Sequence, residues 1–227
     1  TVLNIYGGDF MQNGGAQGKG TIFVGTGCEF NMFGGVIYGN STAAGGALYL
    51  NSGITNIYGG IISNNTVIQN GEGSAIYSGS ILNMYGGTIT SHTGATSVIF
   101  IVGGSKTSIS NNAQICNNGD SKSIIKVMGN LTINGGYVGE NSASGSIINL
   151  QEGSKVTISG GKITNNISAY GAIGGVTSGV TLSGIPYIFE NFGASASTDQ
   201  RNIYLTKDNA ITLIGDLRVG SKVGIFA

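Results

Sequence analysis

The chain has 227 residues with ten acidic and ten basic side chains, so its formal net charge is zero; 42 residues are glycine, one is proline and none is tryptophan. A nucleic-acid partner needs a basic face, and no basic run occurs here. Val98–Val102 is an uninterrupted apolar run of only five residues, far short of a bilayer span. Glycine at this level fits disorder, but the 40% of residues that are apolar recur at strand period, which disorder does not produce.

In chain order, one phrase repeats. The second position of a Gly-Gly pair falls at Gly8, Gly35, Gly60, Gly87, Asn112, Gly136, Gly161 and Ile185, at intervals of 27, 25, 27, 25, 24, 25 and 24 residues. Before each pair, alternate residues are apolar, as in Leu3/Ile5, Phe30/Met32, Leu82/Met84, Leu131/Ile133 and Val156/Ile158; period two means a strand with one buried face. After the pair come Phe10, Ile37, Ile62, Ile89, Ile115, Val138, Ile163 and Ile188, predicting a second strand. A further strand carries Ile22, Leu48, Ile76, Ile99, Ile125, Ile148, Ile173 and Ile203. A repeat of about 25 residues predicts a solenoid: an all-β parallel β-helix of about eight coils over residues 1–193, with three short strands per coil.

Three residues beyond each second-strand position stands a polar residue: Asn13, Asn40, Asn65, His92, Asn118, Asn141, Asn166 and Asn191. These are expected at a corner, where Gly and then Asn adopt positive φ at least cost. Stacked from coil to coil, they would form a hydrogen-bonded ladder of amides. His92, the single histidine, takes one such slot and reads as a turn residue. Residues 194–227 change character. They open with Ala194-Ser195-Ala196-Ser197 and carry Asp199, Arg201, Lys207, Asp208, Asp216, Arg218 and Lys222, which predicts a terminal coil and polar cap. Thr1 begins inside a strand, so the chain is expected to be a processed or excised piece of a longer protein. Cys28 and Cys116 lie at least two coils apart and are expected to be unpaired thiols.

The outward residues divide the chain. Before the glycines they read Asn4/Tyr6, Asn31/Phe33, Asn56/Tyr58 and Asn83/Tyr85, then Ser108/Ser110, Thr132/Asn134, Thr157/Ser159 and Thr181/Ser183. The further strand reads Phe23, Tyr49, Tyr77 and Phe100, then Lys126, Asn149 and Gly174, before Tyr204 returns. Two aromatic ladders therefore stop at the same coil. They serve either as stacking staples or as a contact surface for a glycan, a protein or a second copy of the chain.

The motifs Gly45-Gly46-Ala47-Leu48 with Ile62-Ser63-Asn64-Asn65, and Gly171-Ala172-Ile173 with Ile188-Phe189-Glu190-Asn191, resemble the GGA(I/L) and FxxN repeats of bacterial surface β-helices, of which the chlamydial polymorphic outer-membrane proteins are an example. The resemblance implies a right-handed parallel β-helix with an extracellular, surface-attached, adhesin-like or structural role. It supplies no catalytic residue, metal site or cofactor.

The main alternative is a carbohydrate-active enzyme, a polysaccharide lyase or glycoside hydrolase, because such enzymes also use this fold. Paired carboxylates about 5–9.5 Å apart would be needed for hydrolysis. Asp9, Glu29, Glu72, Asp120, Glu140, Glu152 and Glu190 are scattered through the repeat, and no two occupy matching positions of neighbouring coils. The expectation is a protein without catalytic or metal-binding residues. Ice binding is disfavoured as well, since a regular Thr-x-Thr lattice is missing and only Thr88-Ile89-Thr90 matches it.

Overall fold

The computed structural model describes residues 1–68, 71–175, 179–194, 196–206 and 210–226, with positions 16, 196 and 197 in backbone alone. Lys207, Asp208 and Ser195 of the expected cap lie outside these residues. Among the described residues there are only strands, stacked in nine turns. Successive coils pair parallel and mostly in register, with shifts at Ile133–Tyr137, Leu182–Gly184 and Gly15–Lys19, except that Phe192–Gly193 pairs antiparallel with Ala196–Gln200.

Each coil begins with the strand before the glycines: Val2–Ile5, Glu29–Met32, Ile54–Ile57, Ile81–Met84 and Lys106–Ile109 in coils 1 to 5. In coils 6 and 7 the strand runs on through the glycine bend, as Asn130–Gly139 and Lys155–Thr164, so the first and second strand positions merge into one sixteen-stranded sheet. The bend explains the paired glycines. A Cβ on Gly59 would lie 2.5 Å from the carbonyl oxygen of Phe33 in the coil below, and Gly60 has φ 88°. The first glycine therefore permits close stacking, and the second permits the turn.

The three-strand coil needs correction. Past the asparagine corner lies a short additional strand, such as Ser41–Ala44, Thr66–Val67 or Ile167–Ser168. These segments form small three- and four-stranded sheets, while the strands beginning at Ile22 and Leu48 belong to a nine-stranded sheet. Small polar residues fill the extra segments, which left no apolar alternation to read. Coils 4 and 5 have no such strand among the described residues.

Residues 194–227 contain the expected terminal coil, but its outer face is not uniformly polar. They complete a ninth turn, in which Val180 pairs with Ile211, Ile188 with Val223 and Ile203 with Ile225. Its exposed residues include Leu213, Ile214 and Val219 as well as charged ones. The strand alternation continues as expected, and the described outer face mixes apolar with charged side chains where the density of charges predicted a polar cap.

Inside the coil, the apolar ladders are those predicted. Ile37, Ile62, Ile89, Ile115, Val138, Ile163 and Ile188 form one buried column, and Leu48, Ile76, Ile99, Ile125, Ile148, Ile173 and Ile203 form another. Burying such a side chain contributes about 1.5–3 kcal/mol. Thr55 and Thr107 interrupt the first-strand column, each fully inside and aligned with Leu82. Thr107 shares a hydrogen bond with Ser78 at 3.3 Å.

Candidate functional site

The corner ladder is continuous over most of the molecule. Asn13 donates through Nδ2 to Oδ1 of Asn40 at 3.0 Å, and Asn40 donates likewise to Asn65 at 2.8 Å. Beyond coil 4, Asn118 donates to Asn141, Asn141 to Asn166, Asn166 to Asn191 and Asn191 to Asn202, at 2.8–3.0 Å. The same Oδ1 atoms accept from the backbone N–H of the preceding rung, as from Asn118 at 3.1 Å. Each amide also donates to strand carbonyls: Asn141 reaches Ile115 and Gly139, both at 2.9 Å. Asn202, outside the repeat spacing, is a rung that the sequence register misses.

One physical expectation about this corner is wrong. Positive φ belongs to the residue before each rung, at Gln12, Gly39, Asn64, Ser91, Asn117, Glu140, Asn165 and Glu190. The rung asparagine is selected for its side chain, which points into the corner and satisfies groups that water cannot reach.

His92 breaks the ladder. Its backbone N–H still donates to Asn118 Oδ1 at 3.1 Å, but it has no side-chain carbonyl to offer Asn65. Instead Nδ1 lies 3.0 Å from the Asn65 carbonyl oxygen and Nε2 3.1 Å from that of Ile62. Both ring nitrogens thus face acceptors, whereas a neutral imidazole carries one N–H. Burial pushes the His92 pKa below its usual value, against the opposing pull of the two carbonyls.

On the outside, Tyr6, Phe33, Tyr58 and Tyr85 form a ribbon with ring centroids 4.9, 4.8 and 5.1 Å apart and planes within 15° of parallel. Tyr6 is 73% exposed, Tyr58 46% and Phe33 42%. Ile54, Ile61 and Ile81, on the same coils, are also exposed. In the strand register Ile54 and Ile81 are followed by Lys106, Asn130 and Lys155.

Beside this ribbon runs a second amide ladder. Asn31 donates to Asn4 at 2.9 Å, Asn56 to Asn31 at 2.8 Å and Asn83 to Asn56 at 2.9 Å, and Ser108 Oγ donates to Asn83 at 3.0 Å. Thr132, Thr157, Thr181 and Thr212 continue the column. The spacing of these asparagines was legible, but their mutual bonding was not, because an outward amide reads equally as a free contact group.

The second aromatic column is a different object. Phe23, Tyr49 and Tyr77 stack at 5.7 and 4.4 Å, and Phe100 closes the column edge-on at 5.3 Å. Only Phe23 is well exposed; Tyr49 and Phe100 are each 8% exposed. Lys19 lies over Tyr49, and Lys126 over Phe100 at 5.2 Å. Lys126 is fixed by Glu72 at 2.6 Å, and Glu72 also accepts from Ser97. Burial, with the neighbouring Tyr49, raises the Tyr77 pKa. Past Phe23 the column is largely covered and ends beneath Lys126, an environment of packing more than of open surface.

Several other polar groups are committed to local contacts. Glu29 accepts from Asn31, Glu140 from Asn117 and Glu190 from Tyr187, while Asp199 pairs with Arg201 at 2.7 Å. Cys28 and Cys116 are unpaired, and burial pushes the Cys116 thiol above its usual range. No cluster of three or more metal-ligating side chains occurs among the described residues. No protein-family model, curated protein or solved structure matches the chain.

Proposed function

We propose that this protein is a non-catalytic, extracellular, adhesin-like β-solenoid of the bacterial surface type, and that it docks another protein surface through the Tyr6–Phe33–Tyr58–Tyr85 ribbon. The observation that carries the reading is the exposed apolar face of coils 1 to 4, set against later coils that continue the same strands with Ser, Thr, Asn and Lys. Stability of a solenoid does not require exposed rings, and exposed apolar surface of this extent favours contact.

The ribbon's chemistry favours protein over glycan as the partner. A sugar stacks on a ring face, and these rings spend their faces on one another, leaving edges and hydroxyls outward. The adjoining amides are likewise committed to each other rather than to ligand hydroxyls. A straight strip of ring edges flanked by Ile54, Ile61 and Ile81 matches the apolar centre of a protein interface. The test is adhesion or co-sedimentation of wild type beside the double variant Tyr58→Ser, Tyr85→Ser. Loss of binding with the fold intact supports the reading; equal binding by both proteins overturns it.

A further inference from the structure

The nine-stranded sheet carries one outward column from end to end: Phe23, Tyr49, Tyr77, Phe100, Lys126, Asn149 and Gly174 in register, with Tyr204 and Phe226 in the coils that follow. Rings fill it in coils 1 to 4 and again at Tyr204 and Phe226, which stack at 5.0 Å. Between these two stacks the column loses its bulk. Gly174 has no side chain, and the Asn149 amide oxygen accepts from Gln151 at 3.1 Å. One face of Tyr204 is covered by Phe226, and the other looks along the column into the Gly174 slot. Gly174 is itself buried beneath Ser146 and the Tyr170 carbonyl, so the space lies outside those two groups, between Asn149 and Tyr204, which stand two coils, or about 9.6 Å, apart.

A cavity of about 490 Å³ occupies this position, lined among others by Lys122, Ser146, Asn149, Tyr170, Gly175 and Tyr204. That volume is within the range of small-ligand sites. The slot cannot be closed cheaply from its own strand: a Cβ on Gly174 would lie 2.6 Å from Ser146 Oγ and 2.7 Å from the Tyr170 carbonyl oxygen. Ser146 in turn donates to that carbonyl at 3.2 Å, which holds the Tyr170 segment against the wall. Lys122 is exposed, and none of the described residues forms an ion pair with it.

We propose that this notch binds a single pyranose ring bearing a carboxylate. The C–H face of the sugar stacks on the face of Tyr204 turned away from Phe226, and hydroxyls on its rim meet the Asn149 amide and the hydroxyl of Tyr170. The Lys122 ammonium supplies the one positive charge of the lining, matched to one carboxylate. A nucleotide, with its phosphates, would call for more cationic groups than this cavity contains. The site lies in coils 5 to 8, away from the Tyr6–Tyr85 ribbon, and does not depend on that ribbon being a contact surface.

The test is calorimetric or NMR titration of the purified chain with 3′-sialyllactose beside lactose and glucuronyl-galactose beside galactose. At least one acidic sugar should saturate below about 10 mM and exceed its neutral parent roughly tenfold in affinity. Asn149→Tyr puts a ring into the notch from the coil below, a residue type that Tyr49 and Tyr77 show this column accepts, and should abolish binding; Tyr204→Ala should do the same. Lys122→Gln should bring acid and neutral sugar level. Tyr58→Ser with Tyr85→Ser should leave the titration unchanged, which separates this site from the ribbon. Failure of both acidic sugars to saturate overturns the proposal. So does binding that survives Asn149→Tyr and Tyr204→Ala in variants melting as the wild type does.

Discussion

Coils 1 to 4 and coils 5 to 8 are built on the same inside and on different outsides. Ile62 and Ile163 occupy one buried column, and Asn40 and Asn141 one corner ladder, so neither half is the scaffold for the other. Along the outer columns of the strand before the glycines, the first half presents ring edges and isoleucines where the second presents hydroxyls, amides and lysines; the exposed apolar residues of the second half, Met128, Ile167, Tyr170 and Ile185, lie off these columns. The join is marked three times near coil 4: both aromatic columns end, the short strand after the corner drops out, and His92 interrupts the asparagine ladder. A solenoid adds coils by nearest-neighbour contacts, so its outer faces can change while the inner ones do not.

The largest expected effect tests the shared inside. Ile57→Asp and Ile133→Asp each place a carboxylate in the core without a partner. Against a total stability of about 5–15 kcal/mol, either should abolish cooperative folding, with loss of the β-sheet circular dichroism signal at 25 °C. A difference between them would break the equivalence of the halves, since tolerance of one would show its coils to be dispensable.

The ladder offers the next test. Asn65→Ala removes the Oδ1 that accepts from both the N–H and Nδ2 of Asn40, and Asn141→Ala does the same to Asn118. Leaving buried donors unpaired costs about 1–3 kcal/mol for each group. Both variants should therefore melt well below wild type and by similar amounts. Replacement by Asp restores the acceptor while removing the amide donors, so it should recover only part of the loss.

The outside should separate the halves. Tyr58→Ser with Tyr85→Ser gives coils 3 and 4 the residue types that coils 5 to 8 already carry. Loss of ring stacking at about 0.5–1.5 kcal/mol per pair is a modest fall in melting temperature. Adhesion should fall far more than stability. The corresponding change in the covered column, Tyr77→Ser, should do the reverse, because Tyr77 packs between Tyr49 and Phe100 rather than facing a partner.

The fold was legible because its signals are one-dimensional: apolar alternation, paired glycines and an asparagine at fixed spacing are each set by contacts with the coil above and below. What escaped the sequence depends on contacts that spacing does not encode. Tyr49 and Phe100 are of the same residue types as Phe33 and Tyr58 and also recur once per coil in their column, yet lysines and Glu72 cover one column and leave the other open. The short strand at Ser41–Ala44 has no apolar pattern to announce it, and the ladder's last rung, Asn202, follows an antiparallel excursion that breaks the interval. The notch at Gly174 becomes visible only when the column is followed past the lysine into the coils where rings return.

The smallest effect concerns the seam itself. His92 is buried between the Ile62 and Asn65 carbonyls on one side and the Asn118 rung on the other, with no charged side chain among its hydrogen-bond partners. Its folded-state pKa is lowered, mainly by burial. A histidine with a lowered folded pKa contributes stability that is fully present above its unfolded value, about 6.5, and is lost as the pH falls through the folded value. Mild acid should therefore lower the melting temperature through this one group. His92→Asn replaces the imidazole by a side chain that can accept from Asn65 and donate to Asn118, joining the two ladder segments. The variant should equal or exceed wild type at pH 7.5 and should lack the histidine share of the acid loss near pH 5. An unchanged acid profile in the variant would mean that the His92 pKa is the same in the folded and unfolded chain, against the lowering by burial. The seam would then mark only a change of outer surface, with no pH-sensitive group at the break in the ladder.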